Sequence, residues 1–227
     1  MNVIETRKLE KIYDETAVNV KAVDNVDLNV EAGEFTAIVG PSGSGKTTLL
    51  NMIGGLDTPT SGSVIVDNTD LSTLDSRQII DFRLHNIGFV FQAYNLIPVL
   101  TARENVSFIM ELQGLPGNLI DRRSREILSK VGLGDRLDSR PGQLSGGQQQ
   151  RVAVARALAA KPRFIIADEP TANLDSKSTE TLLDMMEQLN KEENMTFLFS
   201  THDQRVMNKA RRVIVLEDGK IVSDTKK

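Results

Sequence analysis

Residues 40–47 read Gly-Pro-Ser-Gly-Ser-Gly-Lys-Thr, and no other stretch limits the fold of this 227-residue chain as tightly. A β-branched apolar run over residues 35–39 leads into it, and residues 46–53 carry the pattern of a helix start. The spacing G-x-x-x-x-G-K-[ST] between a strand and a helix is that of a loop that cradles phosphates. Glycines let the backbone curl so that successive N–H groups point inward, and the helix N-terminus adds partial positive charge. In such a loop Gly40, Pro41, Ser42, Gly43, Ser44, Gly45, Lys46, Thr47 and Thr48 surround the phosphates. Lys46 bridges the β- and γ-phosphates, and the Thr47 hydroxyl faces Mg²⁺. A plain Gly/Ser connection is the competing reading, and the flanking strand and helix weigh against it.

Composition removes several other chemistries. There is no cysteine, so thiolate zinc sites, iron–sulfur clusters and cysteine nucleophiles are excluded, as expected of a cytosolic protein. With 27 basic and 31 acidic side chains the formal charge is −4, which argues against electrostatic nucleic-acid binding. A chain of this length buries roughly 70% of its unfolded surface and needs no covalent staple. Its longest apolar stretches, such as residues 87–91 and 96–100, fall well short of the ~20 residues of a spanning helix. The first residues lack the apolar core of a secretory signal. Any membrane role is therefore expected to come through a partner, without direct insertion.

Along the chain, residues 3–11, 22–30, 64–66 and 87–91 read as further strands, with a turn at 31–34. Residues 102–113 and 122–131 have helical spacing, with Val106, Ile109 and Met110 on one face and Ile127, Leu128 and Val131 on another. The basic run at 122–125 is expected to be a solvated helix face. After Pro141-Gly142 a helical stretch runs to Ala160. The last third alternates strand 164–167, amphipathic helix 176–190 and strand 196–199, and Asp218-Gly219 predicts a closing hairpin. Such alternation implies a mainly parallel sheet covered on both faces.

A phosphate loop needs a second metal anchor on a neighbouring strand. The apolar run ending in Asp168 supplies it, and Glu169 follows at once. If side chains alternate here as in a strand, Asp168 and Glu169 face differently. One then addresses the metal and the other the attacking water.

Leu144-Ser145-Gly146-Gly147-Gln148, followed by Gln-Gln-Arg151, resembles the signature of ABC transporter ATPases, and with the phosphate loop and Asp168-Glu169 in order the resemblance covers nearly the whole chain. Ser145 also has the chemistry of a helix N-cap. The resemblance implies an α/β P-loop NTPase core with a mainly parallel sheet, an N-terminal antiparallel β subdomain and a helical signature subdomain. Within a single domain 1–227, residues 1–91 and 161–227 would form the core with the β subdomain, and 92–160 the Q-loop and helical part. It further implies that Tyr13, 33 residues before Lys46, stacks on adenine, and that Gln92 touches Mg²⁺ and senses a membrane subunit. Asp175, in Asn173-Leu-Asp175, belongs to the loop coupling two sites, and His202 contacts the γ-phosphate. His85, without a partner motif, reads as structural or surface. Two copies would close head to tail, with Ser145, Gly146, Gly147, Gln148 and Asp175 addressing the ATP held by the other copy. Lys46, Gln92, Glu169 and His202 form the catalytic set; because that set is intact, an active ATPase is expected.

Residues 88–92, 94–98, 100–102, 104–106, 55–62 and 171–176 resemble the MacB/LolD-like group in particular. In that group the ATPase drives a membrane protein with few spanning helices and a large extracytoplasmic domain. No fused membrane domain is expected, and the 25 residues after His202 are too few for the tail of sugar or methionine importers. The implied place is the cytoplasmic face of the inner membrane, peripheral through a permease that docks near the Q-loop. A conventional importer ATPase, as for amino acids, and a soluble non-transport ABC ATPase are the alternatives. A small-molecule P-loop kinase has no need of the signature or of His202.

Overall fold

The computed structural model describes residues 2–14 and 19–227. In chain order, β1 (Asn2–Tyr13), β2 (Val20–Glu31), β3 (Phe35–Val39), α1 (Lys46–Ile53), β4 (Ser61–Val66) and β5 (Thr69–Asp70) lead into α2 (Ser76–Asn86) and β6 (Ile87–Val90). Helices α3 (Ala102–Leu112), α4 (Gly117–Lys130) and α5 (Gly146–Ala159) follow. The chain ends with β7 (Phe164–Asp168), α6 (Ser176–Glu193), β8 (Thr196–Ser200), α7 (Gln204–Lys209), β9 (Arg212–Glu217) and β10 (Lys220–Lys226). The strands form an antiparallel sheet in the order β2-β1-β4-β5 and a second sheet in the order β10-β9-β3-β8-β7-β6. In the second sheet β9, β3, β8, β7 and β6 are parallel and β10 is antiparallel.

Side-chain alternation on the buried parallel strands divides the core in two. Phe35, Ala37, Val39, Ile165, Ala167, Phe197 and Phe199 point to one face, where they meet α3, α4, α5 and α6. Ile38, Phe164, Ile166, Leu198 and Ile214 point to the other, against α1 and the antiparallel sheet. Phe35 packs on Phe199 with ring centroids 4.6 Å apart, at the centre of the first cluster. The C-terminal ends of β3 and β7, both buried in this sheet, carry the phosphate loop and the Asp168-Glu169 pair to the same edge. That is where ligands sit in open α/β sheets.

The expected hairpin forms. Glu217 pairs with Lys220, and Asp218 and Gly219 both adopt the left-handed region, at φ 46° and 78°, as a two-residue primed turn requires. Three elements had no expectation: β5, α2 and α7. No residue of α2 is fully buried, so it lacks an apolar stripe; its start is set by a capping box between Asp75 and Gln78. The basic run on α4 is only partly a solvated face. Arg122 and Arg125 are exposed, but the Arg123 guanidinium donates to the Leu158 and Ala159 carbonyls at 3.0 Å and closes the end of α5. His85 is on the surface, with Nδ1 2.9 Å from the Asp81 carbonyl.

Arg212 is the main buried ion in the sheet. Its guanidinium donates to both carboxylate oxygens of Asp224, at 2.8 and 2.7 Å, and to Glu34 Oε2 at 2.9 Å, tying β9 to β10 and to the start of β3. The Asp224 carboxylate raises the Arg212 pKa further, opposed in part by the burial of Arg212, with Glu34 adding to the rise. Burial favours neutral Glu34, but hydrogen bonds from Thr36 and Arg212 outweigh it and hold the carboxyl below its usual range. Removing one partner of a buried pair leaves the other charge unpaired. Arg212→Ala is therefore expected to destabilise the fold by about 3 kcal/mol in denaturant titrations. A loss below about 1 kcal/mol would place the network with ordinary surface pairs.

Candidate functional site

The loop after β3 is built around backbone approach. An added Cβ on Gly40 would lie 2.0 Å from the Leu216 carbonyl, and one on Gly45 would lie 2.0 Å from the Ala22 carbonyl. Only glycine fits either place, and both also have positive φ, at 153° and 98°. Lys46, 9% exposed, curls back over the loop and donates to the Gly40 and Pro41 carbonyls at 2.9 Å each. Its ammonium thus spans the hollow where phosphates would lie. Ser42 and Gly43 form the exposed rim, while Ser44 is buried with no partner for its hydroxyl. Gly45 starts α1 without a side-chain cap, so the first-turn N–H groups remain open to an anion.

The second anchor is where a metal would need it. The Thr47 hydroxyl donates to both oxygens of Asp168 at 3.2 Å, across 121 residues of sequence. Ser200, at the end of β8, also donates to Asp168 and holds its carboxylate toward Thr47. Asp168 and Glu169 do face differently, but for a different reason than strand alternation. The strand β7 stops at Asp168, and Glu169 takes a left-handed φ of 46° while its N–H donates to the Ser200 carbonyl at 3.0 Å. A non-glycine residue in this region costs energy and persists only where its surroundings enforce it. Here the turn swings the carboxylate toward His202, whose Nδ1 lies 2.9 Å from Glu169 Oε1. Glu169 Oε2 is buried and has no hydrogen-bond partner, an acceptor in want of a donor. His202 itself is 74% exposed, so its far ring edge faces the open cleft.

A cleft of about 920 Å³ gathers most of the expected residues. Gly40, Pro41, Ser42, Gly43, Gly45, Lys46, Thr47, Thr48, Gln92, Glu169 and His202 line it. Gln92 is exposed at its rim, and its carbonyl accepts from Asn173 Nδ2 at 3.0 Å. Ser145, Gly146, Gly147, Gln148 and Asp175 are not brought into the cleft among the described residues. Ser145 instead caps α5 in a reciprocal capping box with Gln148, and Asp175 caps α6, accepting from the Ser178 N–H and hydroxyl. Those Ser178 bonds hold the Asp175 carboxyl below its ordinary range. Tyr13 stands at the end of β1, next to Thr48 at the cleft's margin. Burial, and then its bond to Asp57, raise the phenol above its usual pKa.

Sequence reasoning passed over the residues that bind these loops to one another. Gln150, fully buried in α5, donates to the Pro170 carbonyl at 2.8 Å and to the Phe91 carbonyl at 3.4 Å. Arg156 donates to the carbonyls of Tyr94 and Asn95, two consecutive residues with left-handed φ. The Gln92 loop, the signature helix and the Asn173 loop therefore meet in one network. A signal existed: Gln150 lies between Gly147 and Ala153 on the buried face of α5, where an apolar residue is the norm.

Known proteins resemble the chain over most or all of its length. The family described as "ABC transporter" matches residues 23–172. An uncharacterized ABC transporter ATP-binding protein of Thermotoga maritima is 48% identical over 219 residues, covering 96% of this chain and 93% of that protein. The lipoprotein-releasing system ATP-binding protein LolD 1 of Caulobacter vibrioides is 44% identical over 229 residues, 99% of this chain and 97% of its own length. The macrolide export ATP-binding/permease protein MacB of Aggregatibacter actinomycetemcomitans is 44% identical over all 227 residues, but the chain spans only 35% of that relative. Among solved structures, the dimeric post-hydrolysis state of the ATP-binding cassette MJ0796 bound to ADP and Pi matches with a TM-score of 0.90 and 43% identity, covering 98% of each chain.

Proposed function

The chain belongs to the ABC transporter family, and from that membership we propose that it binds and hydrolyses ATP as the motor of a MacB- or LolD-type transporter, closing head to tail with a second copy around two ATP molecules and driving a membrane subunit. One observation carries the reading. The cleft holds a phosphate loop, a metal anchor and a Glu169–His202 pair, while the signature at Ser145 does not line its own chain's cleft.

Each residue then has a task. Lys46 exchanges the Gly40 and Pro41 carbonyls for β- and γ-phosphate oxygens, and the loop N–H groups offset the remaining charge. Thr47, Asp168 and Gln92 suit a magnesium ion, since hydroxyl, carboxylate and amide oxygens are its preferred donors. Such an ion would neutralise phosphate charge when bound. The Glu169 carboxylate orients and deprotonates the attacking water, and His202, held by Glu169 Oε1, meets the γ-phosphate. Tyr13 stacks on the adenine. The partner copy's Ser145, Gly146, Gly147 and Gln148 present the N-terminus of α5 to the γ-phosphate, and its Asp175 couples the two sites.

The permease docks beside the Q-loop. An apolar cleft of about 570 Å³ lies there, lined by Ile80, Phe89, Phe91, Ile97, Phe108 and Leu112, of which Ile80 and Leu112 are more than half exposed. A short amphipathic helix fits such a groove. No helix among the described residues is long and apolar enough to cross a membrane. In this reading the chain attaches to the membrane through that contact, on the cytoplasmic face, as the ATP-binding protein of a transporter.

The test is a tagged Glu169→Gln variant in its native cells, extracted from membranes with ATP present. Co-purification of a protein with about four spanning helices and a large extracytoplasmic domain is expected. A many-helix permease would assign the chain to a conventional importer or exporter. A dimer with no membrane protein would assign it to the soluble ABC ATPases.

A further inference from the structure

Tyr13 is held at both ends. Its Cα belongs to β1, and its hydroxyl donates to Asp57 Oδ2 at 2.6 Å. The other oxygen of Asp57 accepts from the Lys11 ammonium at 2.6 Å and from the Thr58 N–H at 2.7 Å. Lys11 Nζ also donates to the Thr58 carbonyl at 2.8 Å and lies over the Tyr13 ring, 4.9 Å from its centroid. The side chains of Lys11 and Asp57 are only 14% and 25% exposed, whereas Tyr13 remains 37% exposed. The segment that carries Asp57 leaves the far end of α1, the helix whose first residues are Lys46 and Thr47. It is stitched to β1 by two more bonds: Ile12 N–H to the Thr60 hydroxyl at 3.0 Å, and Thr60 N–H to the Glu10 carbonyl at 2.8 Å.

A tyrosine side chain has two rotatable angles. Fixing the hydroxyl sets the direction of the ring axis, and an ammonium over one face favours one ring plane, because the cation is attracted to the π-cloud. One face is then occupied, and Tyr13, 37% exposed, keeps accessible ring surface for a flat ligand. A surface prepared in this way avoids the entropy cost of ordering on binding.

We infer that Asp57 and Lys11 are positioning residues for nucleotide selection, holding the Tyr13 ring so that Lys11 closes one face and a purine base stacks on the other. The inference rests on the reading of Tyr13 as the base-stacking residue. Asp57 acts through Tyr13 and touches no phosphate, so its removal weakens recognition of the base and leaves recognition of the polyphosphate alone.

The experiment measures, by calorimetry on the full chain with magnesium present, the dissociation constants for ATP and for inorganic tripolyphosphate, which has no base. Tyr13→Ala is expected to weaken ATP by about tenfold, within the range of base–aromatic stacking, with tripolyphosphate unchanged. Asp57→Ala is expected to weaken ATP by about threefold to tenfold, again with tripolyphosphate unchanged, and to add nothing when Tyr13 is already Ala. Tyr13→Phe, which removes only the hydroxyl, is expected to weaken ATP by about threefold and serves if Asp57→Ala fails to fold. If Tyr13→Ala weakens ATP but neither Asp57→Ala nor Tyr13→Phe does, the positioning role is wrong while the stacking role stands. Equal weakening of ATP and tripolyphosphate by Asp57→Ala also overturns it, since the effect would then run through α1. If Tyr13→Ala leaves ATP affinity unchanged, the stacking role itself falls and the inference falls with it.

Discussion

Glu169→Gln is expected to lower ATP turnover by about 10²–10⁴-fold, the range for loss of a general base, while ATP binding survives. The amide keeps the side chain's size and keeps an oxygen available for His202 at the Oε1 position. It loses the negative charge and the second acceptor, and Oε2 is the buried atom without a partner. That atom is shut from solvent and faces no donor within the chain, so the substitution removes charge there and breaks no bond to the protein. Phosphate release gives the turnover, and ATP titration gives the binding. Because the substitution does not touch the phosphate loop, the ATP-bound closed pair should accumulate and be visible by size. Turnover within about threefold of the parent would remove Glu169 from the chemistry. Its left-handed backbone would then be a feature of the turn after β7 alone.

Mixing two inactive variants is expected to restore activity. Lys46→Ala removes the cation that spans the phosphate hollow, and Ser145→Arg blocks the signature at an exposed position. Each alone is expected to lose at least about 10²-fold in turnover, as when one preorganised electrostatic group is removed from a reaction centre. In a head-to-tail pair, each site combines the phosphate loop of one copy with the signature of the other. A mixed pair therefore contains one intact site and one with both defects. If copies exchange freely, about half of the pairs are mixed and about a quarter of the parent's sites are restored. No recovery, with mixed pairs demonstrated by two tags, would place Ser145 in the site of its own chain. Loss of the Ser145 cap costs only about 1 kcal/mol, so the variant should remain folded, and a melting curve checks this.

Features encoded within a few residues were legible without the fold. The loop at residues 40–47 announces itself because close backbone approach requires glycine, and Gly40 and Gly45 press against the carbonyls of Leu216 and Ala22. The central strands read correctly because β3, β7 and β8 are buried on both faces and are nearly continuous apolar runs. The Asp218-Gly219 turn and the Ser145 cap are equally local, each set by a backbone geometry that few residue types tolerate. By contrast, α2 has no buried stripe, and periodicity cannot find a helix that is held by its cap and by partial packing of Ile79 and Phe82.

By itself the sequence determined the phosphate loop, the apolar strands that carry it and the residue types available for hydrolysis. Each of these is written in a short run of residue types, whatever distant groups those residues later meet. The tertiary structure alone decided where those residues act. Thr47 meets Asp168 because β3 and β7 flank β8, a strand order that no local pattern encodes. Glu169 reaches His202 because β7 and β8 run side by side and the two residues follow their adjacent C-terminal ends. Gln150, Arg156 and Asp57 acquire their importance only from carbonyls and a hydroxyl that lie between 20 and 62 residues away. A hydrogen bond depends on distance and direction in space, and sequence separation sets neither until the sheet has been assembled.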